Sequence, residues 1–155
     1  MSVKIRILCV GKLANPHLRA LAEDYRDRLR RLADVEIVEF KDATDRDPSV
    51  RLAREAERIR AETGPLSECL LLDETGEAMD SRELSRFLER LETSSTRRLT
   101  LVVGSSHGVD AGLKADIPRK LQLSRFTLTH EWARVLLLEQ LYRAHCIKRN
   151  IPYHH

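Results

Sequence analysis

Strand-like apolar runs alternate with helix signals along the whole chain, and this alternation constrains the fold more than any other feature. Four segments read as strands, at residues 3–10, 35–40, 69–73 and 99–103. The last two are continuous apolar runs, which are typical of strands buried on both faces. Because helical patterns separate these strands, the sequence predicts an α/β fold, a mostly parallel sheet with helices on both faces.

Capping residues mark the expected helix starts. Asn15-Pro16 and Asp47-Pro48 each place a capping side chain before a proline, which is favoured at the first helical position. Asp80 and Glu83 stand at capping-box spacing. Three further elements and a turn complete the prediction: a turn at 74–76, a helix over 111–117, a short strand over 126–128 and a helix over about 131–149.

Length and composition limit the class of protein. The 155 residues predict one domain, 1–155, with room for a single core. No apolar run approaches the roughly 20 residues of a membrane span, and the first ten residues lack a cleavage site, so we expect a cytoplasmic protein without membrane association. With 27 basic and 24 acidic residues the net charge is +3, which is too balanced for non-specific coating of nucleic acid but permits a local basic face.

The cysteines do not form a recognisable framework. Cys9, Cys69 and Cys146 are scattered, without a CxxC pair. This pattern argues against disulfides and against a structural zinc site. Cys9 and Cys69 lie in strand-like runs, so we expect them to pack as small core residues.

The final helical segment is apolar around nearly its whole circumference, which predicts that it is buried. In so short a chain this favours a second subunit against it. The segment also carries Arg134, Glu139, Arg143 and His145, and charged groups in a buried helix must be paired or used. Two interpretations stay open here: salt bridges across an interface, or an active site built at that interface.

Three segments lie where a parallel sheet binds ligands, outside the carboxyl ends of strands. They are residues 72–76, 104–108 and 123–128. In the second, Gly-Ser-Ser-His-Gly, the two glycines allow backbone amides to approach a ligand. The segment matches neither GxGxxG nor a Walker sequence, and an ordinary strand-to-helix turn is the alternative interpretation.

Several sequence motifs together resemble one family. HEWARVLLLEQLYRAHCIKRNIPYHH, with VVGSSHG and LLLDETG upstream and VGK at 10–12, resembles the ribosomal RNA large subunit methyltransferase H family of the SPOUT class over the whole chain. The resemblance implies a C-terminal trefoil knot and a homodimer without a metal. It also implies transfer of a methyl group from S-adenosyl-L-methionine to N3 of a pseudouridine, in a stem-loop of 23S ribosomal RNA within the assembled ribosome.

The resemblance also implies functional residues. The acceptor base would meet His130, Arg143, Tyr153 and His154. The cofactor would be bound by residues at the strand ends: Leu72, Gly104, Leu123, Ser124, Arg125, Phe126, Thr127 and Leu128. N3 must lose its proton before it attacks a methyl sulfonium, and an imidazole suits that step. We expect the tail to serve this chemistry and to contribute little to stability, and His107 and His145 to be structural or surface groups.

Three positions depart from the family pattern. Ser105 stands where the family usually has a second glycine, Thr129 where it commonly has proline, and His155 where a basic residue is more usual. Ser105 favours an alternative function, a ribosome-binding factor that has lost methyl transfer. A nicotinamide-dependent enzyme is disfavoured, because only Gly11-Lys12-Leu13 follows the first strand, without a glycine fingerprint.

Overall fold

The computed structural model describes residues 2–155, and in that range five strands alternate with five α-helices. In chain order these are β1 Lys4–Val10, α1 Pro16–Arg30, β2 Val35–Phe40, α2 Pro48–Glu62, β3 Cys69–Ala78, α3 Ser81–Thr93, β4 Arg98–Val103, α4 Ala111–Asp116, β5 Arg119–Gln122 and α5 His130–Lys148. A 3₁₀ turn, Leu66–Glu68, precedes β3.

The strands form one parallel sheet in the order β2-β1-β4-β3-β5, which confirms the predicted α/β class. The sheet divides the apolar core into two clusters. Side chains of α1, α3 and α5 pack on one face, and side chains of α2 and α4 pack on the other. β1 contributes to both clusters, because Ile5 and Ile7 face the first cluster while Leu8 and Val10 face the second.

The predicted helix starts are confirmed, and each rests on a side-chain cap. The Asn15 carboxamide oxygen accepts hydrogen bonds from the backbone of the first turn of α1, and Asp47 does the same for α2. Asp80 and Glu83 form a complete capping box at α3. Thr129 accepts a bond from the Trp132 amide and caps α5, so threonine replaces the proline of the family pattern without loss of the helix start.

The predicted strand over 126–128 is wrong, because the fifth strand is β5, seven residues earlier. β5 is only four residues long and lies at the sheet edge with Leu121 as its one buried residue, so its sequence shows no alternation. The predicted turn at 74–76 is also wrong. β3 continues to Ala78, with a register shift against β5 between Leu72 and Glu77 that accommodates the extra residues.

The all-round apolar character of α5 has an explanation within the subunit. α5 lies between α1 and α3 on the sheet, and Leu137 and Leu141 are fully buried there. Arg134 pairs with Glu39 and Glu139 pairs with Arg143 in the same chain. Arg134, Glu139 and Arg143 are therefore paired within one subunit and do not require an interface. Trp132 of the same helix remains 48% exposed.

Replacing Gly76 with alanine tests the irregular part of β3. The added methyl group would lie 2.6–2.7 Å from backbone atoms of Lys120 and Leu121 in β5. Backbone cannot move aside cheaply, so we expect G76A to lose about 1–3 kcal/mol in free energy of unfolding, measured by urea denaturation. The control is Gly64→Ala, whose methyl group has nothing closer than 3.8 Å. Equal stability of the two variants would contradict the β3–β5 pairing.

Candidate active site

A cleft of about 690 Å³ opens at the carboxyl end of β4 and beside the middle of β3, next to the start of α5. We call it the carboxyl-end cleft. Leu72, Gly104, Leu128 and His130 line it. A smaller recess of about 160 Å³ shares Leu72 and Leu128 with the cleft and is also lined by Leu123, Ser124, Phe126 and Thr127. The structure thus brings together all the predicted cofactor residues except Arg125, whose side chain is exposed and lines neither cavity.

The loop after β4 is closed on itself. The Gly108 amide donates to the Ser105 carbonyl at 2.9 Å, and the His107 amide donates to the Ser105 hydroxyl at 3.3 Å. A side chain at position 104 would lie 2.7 Å from the Gly108 carbonyl oxygen and from a Val109 methyl. Gly104 is therefore required by the loop itself. The Ser105 hydroxyl is bonded within the loop, so the loop accommodates serine where the family usually has a second glycine.

The carboxyl-end cleft is acidic. Asp73, Glu74 and Glu131 line it, and no lysine or arginine does so within the part of the chain that the structure describes. Hydrogen bonds from the backbone amides of Asn15 and Ala14 lower the pKa of Glu131. Burial acts to raise the pKa of Asp73, but its hydrogen bonds with Thr75 and its Lys114 partner outweigh that and lower it. The lowered pKa values keep Asp73 and Glu131 ionised at neutral pH, so the cleft favours a cationic ligand.

The chain end folds back onto α5 and forms a second group of polar side chains, the tail cluster: Glu139, Arg143, Tyr153 and His154. Glu139 holds it together, since its carboxylate accepts from Arg143 at 2.6 Å and from the Tyr153 hydroxyl at 2.9 Å. Arg143 also lies 3.2 Å from Nδ1 of His154. The residues predicted at the end of α5 and in the tail are thus in direct contact.

Tyr153 is anchored more firmly than the shortness of the tail suggests. Its hydroxyl lies 3.1 Å from that of Tyr25 on α1, and its ring packs edge-on against Tyr142 with centroids 4.8 Å apart. These contacts contribute to stability, so the tail is structural as well as polar. Burial, followed by the bonds to Tyr25 and Glu139, raises the pKa of Tyr153. The phenol therefore keeps its proton at neutral pH and can donate a hydrogen bond but cannot act as a base.

His130 begins α5, and the tail cluster lies against the second half of the helix. Arg143 follows His130 by 13 residues, which at about 1.5 Å per residue separates them by about 20 Å along the axis. Within one subunit the structure therefore places His130 with the cofactor residues and places Arg143 with Tyr153 and His154. It does not bring the two groups together.

The other histidines considered from sequence have ordinary roles. His145 is buried, its Nδ1 lies 2.9 Å from the Leu141 carbonyl oxygen, and burial lowers its pKa, so it is a neutral core group. His107 is exposed in the loop after β4.

Sequence reasoning missed two contributors. In the sequence, Glu131 looks like an ordinary acidic residue in the first turn of a helix. Tyr25 looks like one member of the apolar stripe of α1. Each acts through a partner more than a hundred residues away, so no local signal marks its role.

Neither a metal site nor a membrane-spanning helix is found among residues 2–155. No group of three or more His, Cys, Asp or Glu side chains there is placed to hold a metal ion. None of the helices described is both long enough and apolar enough to cross a membrane.

Cys9, Cys69 and Cys146 are all buried free thiols, as expected for Cys9 and Cys69 from their strands.

Comparison with known proteins assigns the chain to a family. The family model described as "Predicted SPOUT methyltransferase" matches residues 3–154. Proteins named ribosomal RNA large subunit methyltransferase H are similar throughout: 39% identity in Pelobacter propionicus, covering 99% of this chain and 100% of that protein, and 40% in Desulfovibrio desulfuricans, covering 97% of each. The homologue from Geobacter metallireducens is 36% identical over 99% of both chains. The chain belongs to the SPOUT methyltransferase family.

Proposed function

We propose that this protein uses S-adenosyl-L-methionine to methylate N3 of a pseudouridine in a stem-loop of 23S ribosomal RNA within the assembled ribosome. The observation that carries the proposal is the carboxyl-end cleft, where the acidic rim and the residues implied by the resemblance converge beside His130. The full-length similarity to proteins named ribosomal RNA large subunit methyltransferase H supports the same substrate.

The residues of the cleft suit the cofactor. S-adenosyl-L-methionine, when bound, supplies a methyl group made electrophilic by a positively charged sulfur. Asp73, Glu74 and Glu131 would complement its cationic groups. Leu72, Leu123 and Leu128 offer apolar surface for its adenine ring. The closed loop from Gly104 to Gly108 would present backbone to the rest of the molecule.

The chain's own residues would manage the proton and the charge of the acceptor base. The imide N3 must be deprotonated before it attacks carbon, and His130 and His154 are the imidazoles available to accept that proton. The pKa of Arg143 is raised, chiefly by its hydrogen bonds to Glu139. Arg143 therefore stays cationic and can stabilise the imidate oxygen or hold a phosphate. Tyr153 stays protonated and orients the cluster through its bond to Glu139.

A homodimer resolves the separation of the two groups on α5. If the tail cluster of one subunit faces the carboxyl-end cleft of the other, His130 and His154 meet across the interface even though about 20 Å of helix separates them in one chain. Exposed aromatic residues beside the cleft support such an interface, since Trp132 is 48% and Phe126 is 84% exposed. The trefoil knot, the cytoplasmic location and the single-domain organisation over 1–155 stay predictions that accompany this proposal.

The alternative function is a ribosome-binding factor of the same fold without methyl transfer. Its basis was Ser105, but the hydroxyl of that residue is bonded within its own loop. We therefore favour the enzyme. Isothermal titration with S-adenosyl-L-methionine and tritiated-methyl transfer to ribosomes lacking the modification test the proposal directly. Cofactor binding without transfer would favour the binding factor.

Ser105→Gly measures the effect of the departure from the family pattern. Because the hydroxyl points into the loop, we expect the glycine variant to bind S-adenosyl-L-methionine within about threefold of the wild-type affinity, since only the modest contribution of weak hydrogen bonds is lost. Titration calorimetry checks this. A gain of methyl transfer from none to measurable would instead show that the serine had inactivated the enzyme.

His154→Gln separates chemistry from the structural contribution of the tail. The variant retains Tyr153 and its contacts, so we expect an unchanged melting temperature and cofactor affinity. Methyl transfer to unmodified ribosomes should fall by at least about tenfold, as for loss of a positioned acid–base group. His155→Gln, an exposed neighbour, is the matched control. Full activity of H154Q would transfer the role of base to His130.

Mixed dimers test whether the tail acts on the partner's cleft. A dimer of one His130→Ala chain and one His154→Gln chain contains one intact site if tails act across the interface, and none if each acts within its own chain. Random mixing makes half the dimers mixed, so co-expression should restore about a quarter of wild-type activity. Activity no higher than that of the separate variants would contradict the composite site.

A further inference from the structure

A second cavity lies beside the carboxyl-end cleft, on the sheet face that α1 covers. This groove of about 360 Å³ runs between α1 and the β1–β2 side of the sheet, and Ile7 and Ile37 form part of its apolar floor. We call it the α1 groove. None of the residues assigned so far to the cofactor or to the acceptor base lines it.

Three arginines and one glutamate of α1 line one wall of the α1 groove. Arg19, Glu23, Arg26 and Arg30 recur every third or fourth residue on α1, which places them on one face of the helix. From Arg19 to Arg30 this row extends about 16 Å. Lys12, which follows β1, adds a further cation to the rim. The row is longer than a single phosphate group and matches an extended polyanion.

The cations in the groove differ in how far they are already neutralised. Arg134 at the floor is committed to Glu39 and to the Gly11 carbonyl oxygen. Arg26 is paired with Asp27. Lys12 and Arg30 are exposed and form no ion pair or side-chain hydrogen bond with any of residues 2–155. They are the groups free to contact an external anion.

The α1 groove adjoins the carboxyl-end cleft. Lys12 and Leu13 line the groove, and the next two residues, Ala14 and Asn15, donate their amides to Glu131 of the cleft. Only this short segment separates the two cavities. An RNA strand whose target base lies near His130 would therefore bring its adjacent nucleotides next to Lys12.

We infer that the α1 groove binds the sugar–phosphate backbone of the ribosomal RNA next to the target nucleotide, with Lys12 and Arg30 contacting phosphates. This inference rests on the proposed function for the identity of the polyanion. The contacts position the RNA and carry no sequence information. Their signature is a salt-dependent affinity, because each neutralised phosphate releases a counterion.

The test compares two double variants of the full chain. Lys12→Gln with Arg30→Gln removes the free cations of the groove. The control, Arg86→Gln with Arg90→Gln, removes two exposed arginines from α3, on the far side of α5. Neither arginine has an ion partner in the described structure. Binding to ribosomes lacking the modification is measured by co-sedimentation over a range of salt concentrations. Melting temperature and S-adenosyl-L-methionine affinity are measured beside it.

We expect the groove variant to bind ribosomes roughly tenfold more weakly, and the slope of log affinity against log salt to fall in magnitude by about 1.5, since each phosphate contact contributes about 0.7–0.9. The α3 control should keep the wild-type slope. Lys12→Gln alone should show about half the change and keeps the test available if the double variant is unstable.

An unchanged slope in the groove variant, or an equal change in the control, would overturn the inference. Failure of the proposed function looks different: the wild-type protein would bind ribosomes with a groove-dependent slope but transfer no methyl group.

Discussion

The guanidinium of Arg134 attaches the last helix to the carboxyl ends of the neighbouring strands β1 and β2. It is only 6% exposed, donates to the carbonyl of Gly11 after β1 and pairs with Glu39 near the end of β2. One side chain of the last helix thus fixes the carboxyl ends of the first two strands. Because a buried charge without its partner is strongly destabilising, this contact couples the position of α5 to the sheet.

That coupling determines where α5 presents its two ends. The N-terminal end stands over the carboxyl-end cleft, where Glu131 also secures the start of α1 through the amides of Ala14 and Asn15. The other end carries the tail cluster, secured to α1 through Tyr25. α1 is therefore attached to α5 at its start and to the tail through Tyr25. The α1 groove lies along the flank of α1 that faces the sheet edge. The distance between the carboxyl-end cleft and the tail cluster is therefore set by the length of α5 between them.

The sequence predicted the elements whose signals are local. Buried strands such as β3 and β4, and caps such as Asn15 and Asp80, were identified because periodicity and capping act over a few residues. β5 was misplaced, because a four-residue edge strand with one buried side chain has almost no pattern, and the stretch over 126–128 resembles a strand although Phe126 is exposed.

The candidate site divided in the same way. The residues of the carboxyl-end cleft were predicted from strand ends and from motifs that resemble a known family, and the structure gathers nearly all of them. The role of Glu139 as the centre of the tail cluster, and the anchoring of Tyr153 by Tyr25, depend on contacts between distant segments. Such contacts arise from tertiary packing, which local patterns do not encode.

The position of α5 also bears on how the protein folds. The helix fills the space between α1 and α3 over the centre of the sheet. Its bonds to Gly11 and Ala14 join residues more than a hundred positions apart. Contacts between such distant segments require a large loop to close before they stabilise the fold, so we expect slow folding. Until α5 has docked, the side chains of β1 and β4 that belong to the first apolar cluster stay exposed, and the unfinished fold is prone to aggregate.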